Sequence, residues 1–310
     1  MLLNPKKNKM RKIVALLGVV LLLTGCLRNA DEPGIYNKKD WEAFVATINA
    51  GEAPTAWQDA DGVVRLRGDL NLKRWKNPRP AGTNKMPFEG VFDGGMYTIS
   101  GLRMVGEEPC MGLFGVNRGT IRRLHLKANC RLENSAEEGI TGSVCGVNYG
   151  RIEHCESAAE VIGAGVVGGI VGRIQSDPAS AVVPLVSRCT NRGKVRCTGV
   201  SAGGVVGWSS RAKVVDSKNL GAVVCSGSYA GGVVGLNGGL VRGCENQAPI
   251  RGRDYAGGVA GANRAPGELQ EVGNSAPVQA ETIGNIVGED FARSYVDEDI
   301  LYKYYQHVEL

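Results

Sequence analysis

Gly231-Gly232-Val233-Val234-Gly235-Leu236-Asn237-Gly238-Gly239 recurs along most of the chain. Related blocks begin at Met111 (MGLFGVNRG), Gly142 (GSVCGVNYG), Gly168 (GGIVG), Gly203 (GGVVG), Gly257 (GGVAGANR) and Gly284 (GNIVG). A period of 20–50 residues marks a solenoid, a propeller or an array. The block is therefore where the fold is decided.

Each unit has a second half. A short apolar stretch follows the block, then a turn built on Asn, as in Val186–Gly193, Val214–Gly221 and Leu240–Asn246. A further short strand closes the unit, such as Lys194–Cys197 or Ala222–Cys225. The spacing predicts three short strands and three tight turns in about 26 residues. Strands this short cannot bury a face alone, but stacked on neighbours they form parallel sheets around a continuous core. Asn and Gly are expected at the corners because corners often need positive φ. The predicted fold is all-β, a right-handed parallel β-helix rising about 4.8 Å per coil. One insertion, around Gln175–Pro184, lengthens a unit.

An open solenoid end is an unpaired sheet edge, so caps are expected. Upstream, Trp41, Phe44, Val45 and Ile48 lie at i, i+3, i+4 and i+7. Asn37 or Asp40 can start that helix and Gly51 can stop it. Strand-like stretches follow at Val63–Leu66, Leu70–Leu72 and Phe88–Leu102, with a turn at Asp93-Gly94-Gly95. From Glu289 the pattern stops, and the aromatic tail Phe291–Tyr305 reads as the second cap.

Composition agrees. The chain has 310 residues and 45 Gly, where about 22 would be usual. Gly has no period of three and Pro numbers 12, which excludes collagen. Hydrophobic residues make up 43% and charged ones 22%, which argues against disorder. Aromatics are 6%, so small and β-branched side chains must build the core.

The formal charge of +5 belongs to the start of the chain. Lys6, Lys7, Lys9, Arg11 and Lys12 precede an apolar run, Ile13–Leu23, too short to span a bilayer. The run ends in Leu23-Thr24-Gly25-Cys26, similar to the lipobox of bacterial lipoproteins. In that family the cysteine is lipidated and becomes the new N-terminus, which implies lipidation of Cys26. Removing residues 1–25 takes five of the 36 basic residues and leaves 31 against 31 acids. A neutral mature chain gives no reason to expect nucleic acid, and lipid rather than charge would supply membrane contact. The expected organisation is a signal peptide over 1–25, a tether over 26–34 and an N-terminal cap with first coils over 35–110. The repeat solenoid covers 111–288 and a C-terminal cap 289–310.

The units resemble the GLUG motif, a glycine-rich repeat of bacterial surface proteins. The resemblance is carried by MGLFGVNRGTI, GSVCGVNYGRI, GGVVGLNGGLV and GGVAGANR, and Pro87–Leu102 looks like the coil that precedes such repeats. It implies a secreted or surface solenoid, as in adhesin-like proteins and beside the peptidase domain of some immunoglobulin A peptidases. No such peptidase domain is expected within these residues.

Few residues suggest chemistry. Gly199-Val200-Ser201-Ala202-Gly203 matches a nucleophile elbow but ends a repeat rather than a strand-turn-helix. Gly163–Gly168 matches a dinucleotide fingerprint but no βαβ unit follows. No HExxH, CxxC pair or Walker loop occurs, so no metal or cofactor is implied. Cys155, Cys189 and Cys244 share one repeat position, with Ser217 between them, and read as inward-facing. Cys197 and Cys225 share another, in adjacent coils, where an oxidising compartment makes a disulfide an alternative to simple packing.

His154, Arg188, Asp216 and Glu271 form a polar column, and Glu156, Thr190, Lys218 and Glu245 a second; alternation turns both outward. Stacked charges of this kind serve glycan-cleaving β-helices as acid, base and charge stabiliser. Tyr229 and Tyr255 should stack and could hold a sugar or a partner side chain. Trp208 shares its position with Val116, Val147 and Leu236 and should be buried. The expected function is a non-catalytic, lipid-anchored envelope β-helix, adhesin-like or a spacer, exposed at the outer membrane or cell surface. Its partners would be the membrane, through Cys26, and a glycan or a host or surface protein. The alternative is a polysaccharide lyase or hydrolase using His154, Arg188 and Asp216.

Overall fold

The computed structural model describes residues 32–291. The signal segment, Cys26, most of the tether, and the tail beyond Phe291 lie outside the described residues. Within the described residues the chain is an all-β parallel solenoid of about eight turns.

The coil around Gly142 shows the unit. Its strands are Ile140–Gly142, Cys145–Asn148, Arg151–Glu153, Glu156–Ser157 and Glu160–Gly163. There are thus five strands where the sequence suggested three, because several turns between them are only two residues long. The first strands form one seven-stranded sheet and the fifth strands another. Fourth strands form an eight-stranded sheet, and second and third strands share one of thirteen. In Val206–Val215 and Val234–Arg242 the second and third strands run together as one. Pairing is parallel throughout these sheets, in register from coil to coil: Tyr229 pairs with Tyr255 and Cys197 with Cys225.

The Asn and Gly of the repeat do a different job from the one expected. None of the repeat asparagines has positive φ. Asn191, Asn219 and Asn246 are instead buried, and their amides form a ladder. Nδ2 of Asn191 donates to Oδ1 of Asn219 at 2.9 Å, and Nδ2 of Asn219 donates to Oδ1 of Asn246 at 2.8 Å. Within each turn the Asn also bonds backbone two residues on: Gly221 N–H donates to Asn219 Oδ1 at 3.2 Å, and Asn219 Nδ2 donates to Gly221 O at 2.9 Å. The asparagines thus satisfy corner backbone that would otherwise be buried without partners. A second ladder joins Asn117 to Asn148 and Asn237 to Asn263.

Most repeat glycines are there for space. A Cβ on Gly203 would lie 1.9 Å from the Val206 carbonyl oxygen, and one on Gly207 would lie 2.8 Å from the Val167 carbonyl carbon. These glycines let the first and second strands fold against each other. The second strands are accordingly buried on both faces, as in Phe114–Asn117 and Cys145–Asn148.

The N-terminal end is closed by α1, Lys38–Asn49. Asn37 caps it and Asp40 returns the bond, a capping box. Gly51, at φ +77°, ends it, with Gly51 N–H donating to Ile48 O and Glu52 N–H to Thr47 O. Trp41, Phe44, Val45 and Ile48 are buried. The Trp41 ring meets Phe92 and Phe114 at 5.8 and 5.9 Å, and the fully buried aromatic side chains, Trp41, Phe44, Phe88, Phe92 and Phe114, are gathered under this cap.

Toward the other end regular pairing continues. Val287–Asp290, which begins in the block at Gly284, is still a strand, in register with Ala260–Asn263. Ile283 in this last coil is 55% exposed.

Candidate ligand-binding groove

Where first and second strands fold together, their outward residues face each other along the coil axis. On one side stand Cys110, Ile140, Val166, Ser201, Tyr229 and Tyr255, each the partner of the next. On the other stand Val116, Val147, Arg173, Trp208, Leu236 and Ala262. Side chains of the two columns pack into clusters separate from the main core: Cys110, Val116, Ile140 and Val147 in one, Val166, Trp208, Leu236 and Ala262 in the other. The two columns close most of the seam between them: apart from Tyr229 and Tyr255 every member is buried, and the seam is a groove only where it opens.

Part of it is open as a pocket of about 310 Å³. Cys110, Ile140, Val166, Arg173 and Trp208 line its depth. Asn84, Glu107, Ala136 and Glu138 come from the neighbouring turns. Arg173 is 4% exposed and its guanidinium lies 4.8 Å from the centre of the Trp208 ring. Burial pushes the Cys110 thiol up to about 12, Arg173 pulling the other way. Burial also raises the Tyr149 hydroxyl, against Arg173 and the bond donated by Gln175 Nε2 at 2.9 Å. Arg173 was not singled out from the sequence. Its signal was there: it is a charge in a column that is otherwise apolar over five neighbouring coils. Trp208 is buried, as its column implied.

Farther along the groove, the Tyr229 and Tyr255 rings stack at 5.7 Å and 20°. Arg264 covers them, its Nη2 donating to the Tyr229 hydroxyl at 2.9 Å and its guanidinium 5.6 Å from that ring. Phe291 stands edge-on to Tyr255 at 6.1 Å. Both tyrosines are half-buried.

The column of His154, Arg188, Asp216 and Glu271 is placed differently from the expectation. These residues are not on a strand face. Each occupies a tight corner in the left-handed region, at φ 53°, 52°, 50° and 51°, and Gly243 fills the same corner in the coil between Asp216 and Glu271. All four side chains are exposed. Arg188 Nη1 comes within 3.4 Å of His154 Nε2. The second column is outward, with Lys218 paired to Glu245 at 3.0 Å and Glu156 to Arg192 at 2.7 Å.

The cysteines after Cys26 are all buried and free. Cys155, Cys189, Ser217 and Cys244 form an inward column joined by Cys189 N–H to Ser217 Oγ at 3.2 Å and Ser217 N–H to Cys244 Sγ at 3.4 Å. Cys197 and Cys225 face each other across adjacent coils as thiols; their mutual hydrogen bond, then burial and the charge of Cys225, push Cys197 up, and the same bond lowers Cys225. Among the described residues no three His, Cys, Asp or Glu gather as a metal site, and no helix is long and apolar enough to cross a membrane.

No family model and no curated protein matches the chain. Among solved structures it is similar to the crystal structure of a candidate immunoglobulin A1 protease from Bacteroides ovatus, with a TM-score of 0.64 and 17% identity over 89% of this chain and 87% of that one. At that identity the likeness shows the fold alone.

Proposed function

We propose that the chain is a lipid-anchored β-helix of the bacterial cell envelope, built of GLUG-like repeats, which binds a glycan or surface protein and performs no chemistry. The observation that carries the reading is the opening along this seam: a pocket of about 310 Å³ and, farther along, the stacked and half-buried Tyr229 and Tyr255. Such a surface buries ligand area without moving. The lipobox-like Leu23–Cys26 supplies the anchor, and the polar stretch after it supplies reach. The candidate protease from Bacteroides ovatus shares the architecture, and nothing beyond the architecture is carried over from it.

Two measurements test this. Cys26→Ala should abolish membrane fractionation and globomycin-sensitive processing; unchanged fractionation would remove the anchor from the proposal. A glycan array run beside a reducing-sugar assay should give binding without product. The rival reading, a carbohydrate-active enzyme, draws on the Arg188–His154 contact at 3.4 Å. Product that disappears in Asp216→Ala would establish it instead.

A further inference from the structure

We propose that residues 73–85, in the first coil, form a membrane-facing surface that seats the N-terminal end of the rod on anionic phospholipid headgroups. The proposal deepens the anchor reading above and rests on it.

Net neutrality hides an uneven charge. Residues 65–88 hold seven Lys or Arg against one Asp, which leaves 24 basic against 30 acidic residues over the rest of the chain after position 25. No Asp or Glu occurs between Leu70 and Phe88. Lys73, Arg74, Lys76, Arg79 and Lys85 are all exposed. Among the described residues only Arg79 of these five is in an ion pair, with Glu108. Farther along the rod exposed charges are neutralised by neighbours, as in Arg151 with Glu153 at 2.6 Å and Lys218 with Glu245 at 3.0 Å.

The fold holds these cations in place. Leu70–Asn71 is the end strand of the eight-stranded sheet, so the stretch that follows it belongs to the outermost coil. Trp75 packs against the main core, and its N–H donates to Leu72 O at 3.1 Å. With Trp75 pinned, Arg74 and Lys76 on either side of it face solvent. The far end is tied to α1: Asn49 Nδ2 donates to Pro80 O at 3.0 Å, and Gly82 N–H donates to Asn49 Oδ1 at 2.8 Å. Met86, beside Lys85, is 42% exposed and offers an apolar side chain to the headgroup boundary.

Position selects the partner. The same coil receives the chain that comes from the anchor: Ile35 bridges Leu66, and its N–H donates to Arg65 O at 2.8 Å. The stretch from Cys26 to Gly34 spans at most about 28 Å, so lipid on Cys26 keeps this coil near the bilayer. Anionic headgroups favour each Lys or Arg at the surface by about fivefold. That attraction acts only within about 8 Å at physiological salt, which the short reach satisfies. A row of unpaired cations suits a surface of many phosphates rather than one small anion.

The test is an acetylation footprint of the protein extracted from membranes and transferred to vesicles. One set is phosphatidylcholine alone and the other contains about 30% phosphatidylglycerol, a fraction that gives a strongly anionic surface. Lys73, Lys76 and Lys85 should react at least fivefold more slowly on the anionic vesicles at low salt, with the difference gone at high salt. Lys194, Lys213 and Lys218, farther along the rod, should react alike on both. Lys73→Glu with Lys76→Glu changes two exposed, unpaired side chains, so it should keep the parent's Tm within about 3 °C and lose the protection of Lys85. The proposal is overturned if the three lysines react equally on both vesicles, if protection extends evenly along the rod, or if Lys85 stays protected in the double variant. Stronger protection by soluble polygalacturonate than by anionic vesicles would also overturn it, making the surface a site for an acidic glycan. Flotation with the neutral vesicles reports the lipid anchor alone, so the anchor and the basic surface fail or stand separately.

Discussion

Asn191 Nδ2 donates to Asn219 Oδ1 at 2.9 Å across two coils, and Asn219 repeats the bond to Asn246. Both residues are fully buried. Asn219→Ala therefore removes an acceptor from Asn191, a donor from Asn246 and the partner of the Gly221 N–H at once. Each buried group left unsatisfied costs about 1–3 kcal/mol. We expect a loss of about 3 kcal/mol in urea unfolding, with the coils from Asn191 to Asn246 losing amide-exchange protection first. Asn219→Asp should be at least as damaging at neutral pH, because it replaces the donor facing the Asn246 oxygen with a carboxylate oxygen.

These asparagines mark the boundary of what could be read without coordinates. The repeat spacing and the apolar positions at Val186, Val214 and Val241 were enough for a stacked parallel solenoid, since no other arrangement buries strands this short. The role of Asn and Gly was misjudged because a sequence shows residue type but not where φ turns positive. Positive φ fell on His154, Arg188 and Asp216, which alternation had placed on a strand. Arg173 went unnoticed because its meaning lies in the column across coils. That alignment needs the Val147–Arg173–Trp208 register, which an insertion after Gln175 obscures.

The glycine reading has a direct check. A Cβ at Gly168 would sit 1.9 Å from the Val171 carbonyl oxygen and 2.7 Å from the Gly207 nitrogen, both backbone. Gly168→Ala should cost at least about 2 kcal/mol by forced backbone movement. Gly68→Ala, with nothing within 4 Å of the added carbon, should leave the urea midpoint within error.

Asp93 is buried at 0% exposure in the early coils. It accepts from Arg65 Nη1 at 3.1 Å, Arg122 Nε at 2.9 Å, Arg123 Nε at 2.8 Å and Gly95 N–H at 2.9 Å. Burial pushes its pKa up, but the bonds from Arg123 and Gly95 and the charges of Arg123 and Arg122 win, and the net shift is downward. A carboxyl lowered in the folded state stabilises above its unfolded value, about 3.9, and that stability is lost as pH falls through the folded value. Asp93→Asn should therefore cost about 3 kcal/mol at pH 7. The gap to the parent should narrow below about pH 4. A gap equal at pH 7 and pH 3 would mean the charge is immaterial.

The buried thiols predict silence. Burial raises Cys145 and Cys189 well above the ordinary thiol range and Cys110 and Cys244 to about 12. At neutral pH these side chains are protonated and out of reach. A disulfide-exchange reagent should label none of the eight cysteines after Cys26 in the folded protein within minutes, and all eight in guanidinium without reductant. Six labelled in guanidinium would show a Cys197–Cys225 bridge. Because Cys110, Cys145, Cys189 and Cys244 hold their protons more tightly in the folded state, their contribution to stability should be full below about pH 8.5 and decline above it.

The corner column separates a structural role from a chemical one. Asp216 pays for φ 50°, a region that costs an L-residue about 1 kcal/mol and glycine almost nothing. Gly243 already occupies the equivalent corner one coil on. Asp216→Gly should therefore be neutral or stabilising by up to about 1 kcal/mol, offset in part by the greater freedom of glycine in the unfolded chain. The same holds for His154→Gly, whose φ is 53°. A residue kept for acid–base chemistry would show the same Tm response but with turnover abolished. Binding on the glycan array should be unchanged in both variants, because the groove and the Arg173 pocket lie on first and second strands, away from this corner. Loss of binding in Asp216→Gly with folding intact would move the ligand site to the corner and displace the groove from the proposal.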